Sequence, residues 1–538
     1  MNHHQKFLNN LSWNYLGTLL IIVLVFTGIT LRLVNLEQKV YSADEVRGIM
    51  RFSGYTTQEV KNRAFIGEII SVQDLQKFQR PNSERSLNEV LEALAGNPEH
   101  PPLYPLMARF WMQLFPGVNS ARIFSIVISI LVIPCLYWLC VELFDSPLTG
   151  WVAITLFAVS PFHILAAQNT TQYSLWTVMI LLSGATLLKA LREKTKGSWL
   201  LYTITLALAF YTHLFSATVA IAQGIYVILV ERFKFTKTFL TYCLASIGSL
   251  LLFTPWISTI LNNLSKIDKN TQYYSQFKTN IFAISQTLFR HLGHIFIDFF
   301  HKKGKTENFL HILIFFVVVY SLYYLIRLTS PRIWLFIITL IVIPLLFQVV
   351  PDLLSSSIRS LQARYYLPVF LGVQISVSYL IANHIKSQSR KNWLNYFSQQ
   401  IFLLLLLLGV LSGLLLAQTR DAGLDDQRGT ASGTNLTIAE ALNRMKKPLV
   451  ISDTTPSFVL ALSYLVNDNV KFQLFQDQDV PRWQEKLDLN QVKSQYSNIV
   501  ILYPDEKFLA FLTSQHFLET KEVVKGMLEI KTINFKDN

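Results

Sequence analysis

Residues 119–141, NSARIFSIVISILVIPCLYWLCV, show a charge at Arg122 and then none to Val141. At about 1.5 Å per residue, a helix of that length crosses a hydrocarbon core about 30 Å thick. Further segments of this kind lie near 15–35, 149–167, 172–190, 198–212, 214–231, 238–261, 309–327, 332–350, 366–384 and 399–418, which makes eleven expected spans. The pair 198–212 and 214–231 reads as a tight helical hairpin turning at Thr212 and His213. A single long helix there would reverse the sidedness of everything after it.

Composition agrees with this reading. Hydrophobic residues make up 51% of the 538 and charged residues 15%, against about 25% charged in a soluble domain. A net charge of +13 would raise nucleic acid as a partner in a soluble protein. Here the basic residues sit mostly in short loops between apolar runs, so membrane topology accounts for them and no nucleic-acid partner is expected. Cys135, Cys140 and Cys243 all lie inside apolar segments, which argues against a disulfide framework or a cysteine metal site. The run from Leu16 to Leu33 is long enough to span and no small-residue cleavage site follows it, so it reads as an anchor.

Loop charge sets the expected sidedness. With the N-terminus cytoplasmic and eleven spans, the short inner loops carry Lys189, Arg192, Lys194 and Lys196; Arg232, Lys234 and Lys237; Arg327 and Arg332; and Lys386, Arg390 and Lys391. Four of the five are basic, the loop at 143–148 being the exception, as the positive-inside rule requires. Three hydrophilic regions then face outward: 36–118, 262–308 and the tail 419–538. The first contains amphipathic stretches at Thr56–Phe65 and Ser86–Ala95 and an aromatic-rich one at Leu103–Phe115, read as interfacial helices. The second holds an apolar-periodic piece near Ile281–Phe300. In the tail, a polar linker (Asp421–Thr434) precedes strand-like runs at Pro448–Ser452, Val470–Phe475 and Ile499–Tyr503. Helix-like pieces at Ile438–Met445 and Pro456–Val466 lie between them, the pattern of a small α/β domain.

The polar residues at the outward ends of the spans share one membrane depth: Asp44 and Glu45, His100 to Tyr104, Arg122, Gln168, Asn169, Gln172 and Tyr173, His213, and Arg359, Arg364, Tyr365 and Tyr366. Ionisable groups at such a depth are costly and tend to line functional cavities. Singly each has a plain structural reading: a solvated Asp-Glu pair, a proline-led helix start, a histidine in a turn, an arginine snorkelling to headgroups. Together they suit one chemistry. A carboxylate can take a proton from an acceptor hydroxyl, and guanidinium forks bind phosphate oxygens in pairs. Tyrosine and histidine can position a sugar. A lipid-phosphate-sugar donor, with its tail in the bilayer and its phosphate at the surface, needs such a site.

The ordered set Asp44-Glu45, His100-Pro-Pro-Leu-Tyr104, Arg122-x-x-Ser125, Ser160-Pro-Phe-His163, Tyr211-Thr-His213 and Arg364-Tyr-Tyr-Leu-Pro368 resembles glycosyltransferase family 39, the protein mannosyltransferase-like group of the GT-C fold, to which bacterial aminoarabinose transferases are related. The resemblance covers about residues 10–390. It implies a polytopic α-helical membrane protein of GT-C type: a transmembrane domain, 1–418, with a small extracytoplasmic α/β domain, 419–538. It implies a polyprenyl-phosphate sugar as donor, an active site on the extracytoplasmic face of the cell membrane, and transfer with inversion to a lipid, glycan or protein acceptor. Asp44 matches the catalytic aspartate of the first loop, the expected general base. Glu45 would support it, or with it hold a divalent metal where a member uses one. His100, Tyr104, Arg122, Gln168, Asn169, Tyr173, His213 and Tyr365 would bind substrate, and Arg364 the donor phosphate.

One segment departs from the pattern. Members read Gln-Glu-Ala-Arg-x-Tyr where this chain has Gln168-Asn-Thr-Thr-Gln-Tyr173. Asn169 cannot act as a base and is a poor metal anchor, though it can hydrogen-bond a sugar. Glu45 or another group would have to supply the second carboxylate. Two other functions compete with transfer: a transporter or flippase of lipid-linked substrates, and a non-catalytic binder of lipid-linked sugars. Transporters favour inverted repeats, broken spans and midplane charges. This sequence instead has clean spans with its charges at one face.

Overall fold

The computed structural model describes residues 3–275, 279–299, 305–355, 357–386, 393–420, 432–477 and 479–535. Among them, eight helices are long and apolar enough to cross a membrane: Gly17–Gln38, Ser120–Phe144, Tyr173–Glu193, Lys237–Asn262, Thr306–Leu328, Pro331–Ser355, Ala363–Lys386 and Tyr396–Gln418. The remaining three expected spans are helical in other forms. The segment 149–167 is two helices, Pro147–Val159 and Pro161–Gln168, bent by 60°. Pro161 has no N–H to give to the preceding turn. The carbonyls this would orphan are met from elsewhere: Arg32 donates to Ala158 O at 2.7 Å and to Phe157 O at 3.4 Å.

The expected hairpin is a 17-residue helix, Lys196–Thr212, and a 15-residue helix, Ser216–Val230. The second runs back antiparallel to the first. Trp176, near the start of its own span, donates to Ser216 Oγ at 3.0 Å. Farther down, Tyr202 Oη donates to Gln223 Oε1 at 2.9 Å, and at the far end Tyr226 Oη donates to Arg332 O at 3.0 Å. The chain is thus a multi-pass membrane protein with its long polar segments gathered at one end of the bundle. Arg390, Lys391, Phe300 and the linker 421–431 lie outside the described residues.

At that end, residues 36–118 fold as short capped helices. Capping boxes at Ser42/Glu45, Thr56/Glu59, Ser71/Asp74 and Ser86/Glu89 start four of them, each satisfying two backbone donors that a helix start leaves open. Both expected amphipathic stretches are helices, Thr57–Ala64 and Leu87–Ala95, and the aromatic stretch is Leu103–Leu114.

The tail contributes strands β2 (Pro448–Ser452), β3 (Lys471–Phe475), β4 (Asn498–Leu502), β5 (His516–Val524) and β6 (Met527–Phe535), after β1 (Ile66–Ser71) from the first polar segment. Sheet order is β1-β3-β2-β4-β6-β5, with β2 parallel to β3 and β4, and the other pairs antiparallel. Alternation along the strands sends Val450, Phe472, Leu474 and Val500 into the main core. Leu449, Ile451, Phe475 and Ile501 go into a second core with Trp483 and Phe508. Burial on both faces is why β2 and β4 read as nearly continuous apolar runs, whereas β3 includes Lys471 and Gln473, whose amide donates to Gly67 O and Lys486 O.

β1 was not foreseen as a strand. It ties the polar segment to the tail, reinforced by Lys61–Asp477 at 2.6 Å and by Gln76 Nε2 donating to Ser463 O at 3.0 Å. Gly67 makes this possible: its φ is +80°, and a Cβ there would lie 2.7 Å from Phe475 Cε1 and 2.8 Å from Lys486 Cβ. Gly67→Ala is expected to cost about 1–2 kcal/mol from the left-handed backbone alone, with the clash added. Faster amide exchange in β1 and β3 than in β4 would report it; uniform protection would refute it.

Candidate active site

The helix Ala43–Phe52 decides what faces the polar end of the bundle. Val46, Ile49, Met50 and Phe52 are buried, which leaves Asp44, Arg47 and Arg51, at i, i+3 and i+7, on the opposite face. Asp44 is clasped from two sides: Arg47 Nη2 lies 2.7 Å from Oδ1 and Arg364 Nη1 lies 2.7 Å from Oδ2. Arg364 comes 320 residues later, just before the helix Leu367–Lys386. Its guanidinium carbon lies 6.0 Å from the centroid of the Tyr173 ring and 5.5 Å from that of Tyr365. His213 continues this aromatic wall, stacked on Trp176 at 4.3 Å and 15°, with Tyr173 at 5.7 Å and Tyr365 at 6.3 Å. On the other side, Gln172 Nε2 and His100 Nδ1 are 3.2 Å apart.

Asp44 and His100 keep solvent-accessible surface although protein closely surrounds both, the condition of an open cleft. That environment sets their protonation. Burial raises the Asp44 pKa, but Arg364 and then Arg47 outweigh it and hold the carboxyl well below the usual range. Burial, then Arg51, lowers the His100 imidazole to about 4, only partly opposed by Asp44. The cleft therefore presents one carboxylate, three guanidinium groups and a neutral imidazole at pH 7. The excess of positive charge suits an anion with several oxygens.

Other expected site residues form the support beneath the cleft. Glu45, adjacent to Asp44, points the other way and is 1% exposed. It accepts from Arg122 Nε at 2.9 Å and Nη2 at 3.0 Å, from Ser42 N at 3.0 Å and from Thr170 N at 3.1 Å. Arg122 is fully buried and lies 3.7 Å from the centroid of the Tyr41 ring. Tyr104 Oη and Ser125 Oγ share a hydrogen bond of 2.6 Å. Gln168 donates to Leu31 O and Arg32 O, and Asn169 to Leu165 O at 2.8 Å. Asp44 and Glu45 therefore do not fit a divalent metal: guanidinium groups occupy both carboxylates, and Glu45 does not supply a second carboxylate to the cleft.

Arg47 and Arg51 were not among the expected site residues, although the i, i+3, i+7 spacing from Asp44 was available. Glu99, next to His100, was also missed. It accepts from Asn97 Nδ2 at 2.7 Å, and burial pushes its carboxyl above the usual range.

Residues 99–258, which carry His100, Arg122, Tyr173 and His213, match the family described as dolichyl-phosphate-mannose-protein mannosyltransferase. The crystal structure of ArnT from Cupriavidus metallidurans bound to undecaprenyl phosphate aligns with a TM-score of 0.51 at 13% identity, over 96% of this chain and 98% of that one. The same protein in its apo state gives 0.52 at 13%, over 97% and 98%. The fold is of the GT-C, protein mannosyltransferase-like type. A comparison with curated protein sequences finds no match. Asp44 and Arg364 lie outside the residues matched to the family, so it is the fold that brings them to the matched segment.

Proposed function

We propose that this GT-C protein is a glycosyltransferase that moves a sugar, with inversion, from a polyprenyl-phosphate donor to an acceptor hydroxyl at the extracytoplasmic face. The carrying observation is Asp44, on the short helix Ala43–Phe52, held between Arg47 and Arg364, the latter at the start of the membrane-spanning helix Ala363–Lys386. A lipid phosphate at a membrane surface would meet a helix start of this kind, the matched family is one of dolichyl-phosphate-mannose-dependent transferases, and ArnT binds undecaprenyl phosphate.

In this reading the donor phosphate draws Arg364 and Arg47 from Asp44. With its cations engaged elsewhere, the carboxylate becomes a stronger base as the acceptor arrives. Asp44 takes the hydroxyl proton while the acceptor oxygen bonds to the anomeric carbon from the face opposite the phosphate. The bond from that carbon to the phosphate oxygen breaks, and its electron pair leaves with polyprenyl phosphate, whose added charge the arginines hold. In this reading His100 and Gln172 hydrogen-bond the sugar, and Tyr173 and Tyr365 pack against it. The test is transfer of labelled sugar from defined polyprenyl-phosphate donors by the purified protein. Absence of transfer from every donor, with donor still bound, would favour a non-catalytic binder.

Arg364→Ala is expected to weaken donor binding about 10- to 100-fold, the equivalent of about 1.5–3 kcal/mol for a hydrogen bond to a charged group. An unchanged donor KM would remove Arg364 from phosphate recognition. Because the Asp44 pKa lies below the carboxylate range and that of His100 is about 4, Asp44 stays ionised and His100 neutral as pH falls from 7.5 to about 5.5. The kcat/KM for donor should be flat across that window. An inflection near the ordinary histidine value of about 6.5 would show His100 titrating in the free enzyme.

A further inference from the structure

Away from the Asp44 cleft, three side chains from two helices converge. The helix Ile281–His294 ends on His294, and the helix Lys305–Leu328 begins with Glu307 and His311 in its first turns. Glu307 and His311 are i and i+4, on one face, and that face meets His294. One ligand atom from each of the three lies within 4.8 Å of the others. We propose that His294, Glu307 and His311 bind a divalent transition metal of the zinc class.

Three observations carry this beyond a chance meeting of polar groups. First, His311 is 2% exposed, and among the described residues its ring nitrogens meet no hydrogen-bond partner of good geometry, the Ile297 backbone making only a loose approach. A buried imidazole without such a bond is costly, and a metal ion is a natural acceptor of its lone pair. Second, the site is built around a glycine. A Cβ on Gly293 would fall on the His311 ring, so residue 293 must lack a side chain for the imidazole to lie against the end of the first helix beside His294. Third, the donor set discriminates. Two imidazoles and one carboxylate suit zinc better than magnesium or calcium, which take mostly oxygen.

Ligand atoms about a tetrahedral zinc lie about 3.3 Å apart, from Zn–N distances of about 2.0–2.1 Å, so small side-chain rotations close the triad. His294 is only half-buried, which leaves an open side for a fourth ligand such as water. The metal would clip the Ile281–His294 helix to a membrane-spanning one. The clipped helix also bears His291, whose ring centroid is 6.1 Å from that of Tyr366, two residues from Arg364. The site is therefore structural in character: it would fix the helix that packs against Tyr366, and its three ligands are not among the side chains that face Asp44.

The test uses the full-length protein in detergent, stripped with chelator, dialysed and titrated with Zn2+ against a chromophoric competitor. One Zn2+ per chain and a higher Tm are expected for the wild type. His294→Ala, at the half-buried position, and Glu307→Gln should each weaken Zn2+ at least 100-fold. Asp44→Asn should bind as the wild type does, which separates this site from the cleft whether or not transfer is observed. His311→Ala should also lose the ion; if it misfolds, the His294 and Glu307 variants decide the matter. Wild-type Zn2+ affinity in both His294→Ala and Glu307→Gln, or no stoichiometric Zn2+ in the wild type, would overturn the assignment.

Discussion

Asp44→Asn is expected to lower sugar transfer about 10²- to 10⁴-fold, the range for loss of a general base, while leaving the protein folded and the donor bound. The side chain is 44% exposed and its ion pairs are at a solvent-accessible surface, where such pairs contribute little to stability. Asparagine matches its size, and its single carbonyl oxygen can still accept from one of Arg47 and Arg364, while its NH2 turned toward the other can only donate. What it loses is the ability to take a proton. Donor affinity should hold or tighten, because the two arginines no longer have a charged internal partner competing with phosphate. The measurement is paired: initial rate of labelled-sugar transfer, and donor binding by the same preparation. A collapse in rate with binding intact identifies the base. A collapse of both would make Asp44 a positioning residue for the arginines, and an unchanged rate would remove it from the mechanism.

Arg122→Leu is expected to destabilise the protein by about 3–5 kcal/mol, the cost of leaving a buried charge without its partner. Its guanidinium holds Glu45 through two nitrogens and also donates to Lys39 O at 2.8 Å and Val40 O at 3.0 Å. One side chain therefore gathers the segment that leads into the Asp44 helix. Without it, Glu45 must protonate or drag water inward, and the capping box of that helix is weakened with it. A large fall in Tm should accompany lost amide protection over residues 39–52, and transfer should fall although Arg122 does not reach the cleft. Adding Glu45→Met to Arg122→Leu should restore part of the Tm, since the stranded charge is then gone. A double variant less stable than Arg122→Leu alone would show that the backbone hydrogen bonds, rather than the charge pair, dominate.

These two expectations also separate residues that are neighbours in sequence. Asp44 and Glu45 read as one acidic pair, yet on a helix adjacent side chains diverge by about 100°. Asp44 reaches the cleft and Glu45 the core. In the structure Ser42 and Glu45 form the capping box that starts this helix. The sequence could not show that Arg122, 77 residues later, would occupy the glutamate. The same limit applies to Gln168 and Gln172, four residues apart: the 60° bend before Gln168 and the new helix starting at Tyr173 turn one toward Leu31 and Arg32 and bring the other to His100.

By itself the sequence determined most of the membrane spans, eight of the eleven expected runs being long apolar helices among the described residues, because a bilayer imposes its requirement locally. Each crossing must be a long apolar run with its backbone bonded internally, and such a run is visible without knowledge of any other. The near-continuous apolar runs of β2 and β4 were visible for a related reason, burial on both faces. Tertiary structure alone decided which polar residues meet. Asp44 with Arg364, β1 with β3, and His294 with Glu307 and His311 depend on how helices and strands distant in sequence pack. Packing is set by the shape of buried surfaces such as those at Gly67 and Gly293, and no local periodicity records it.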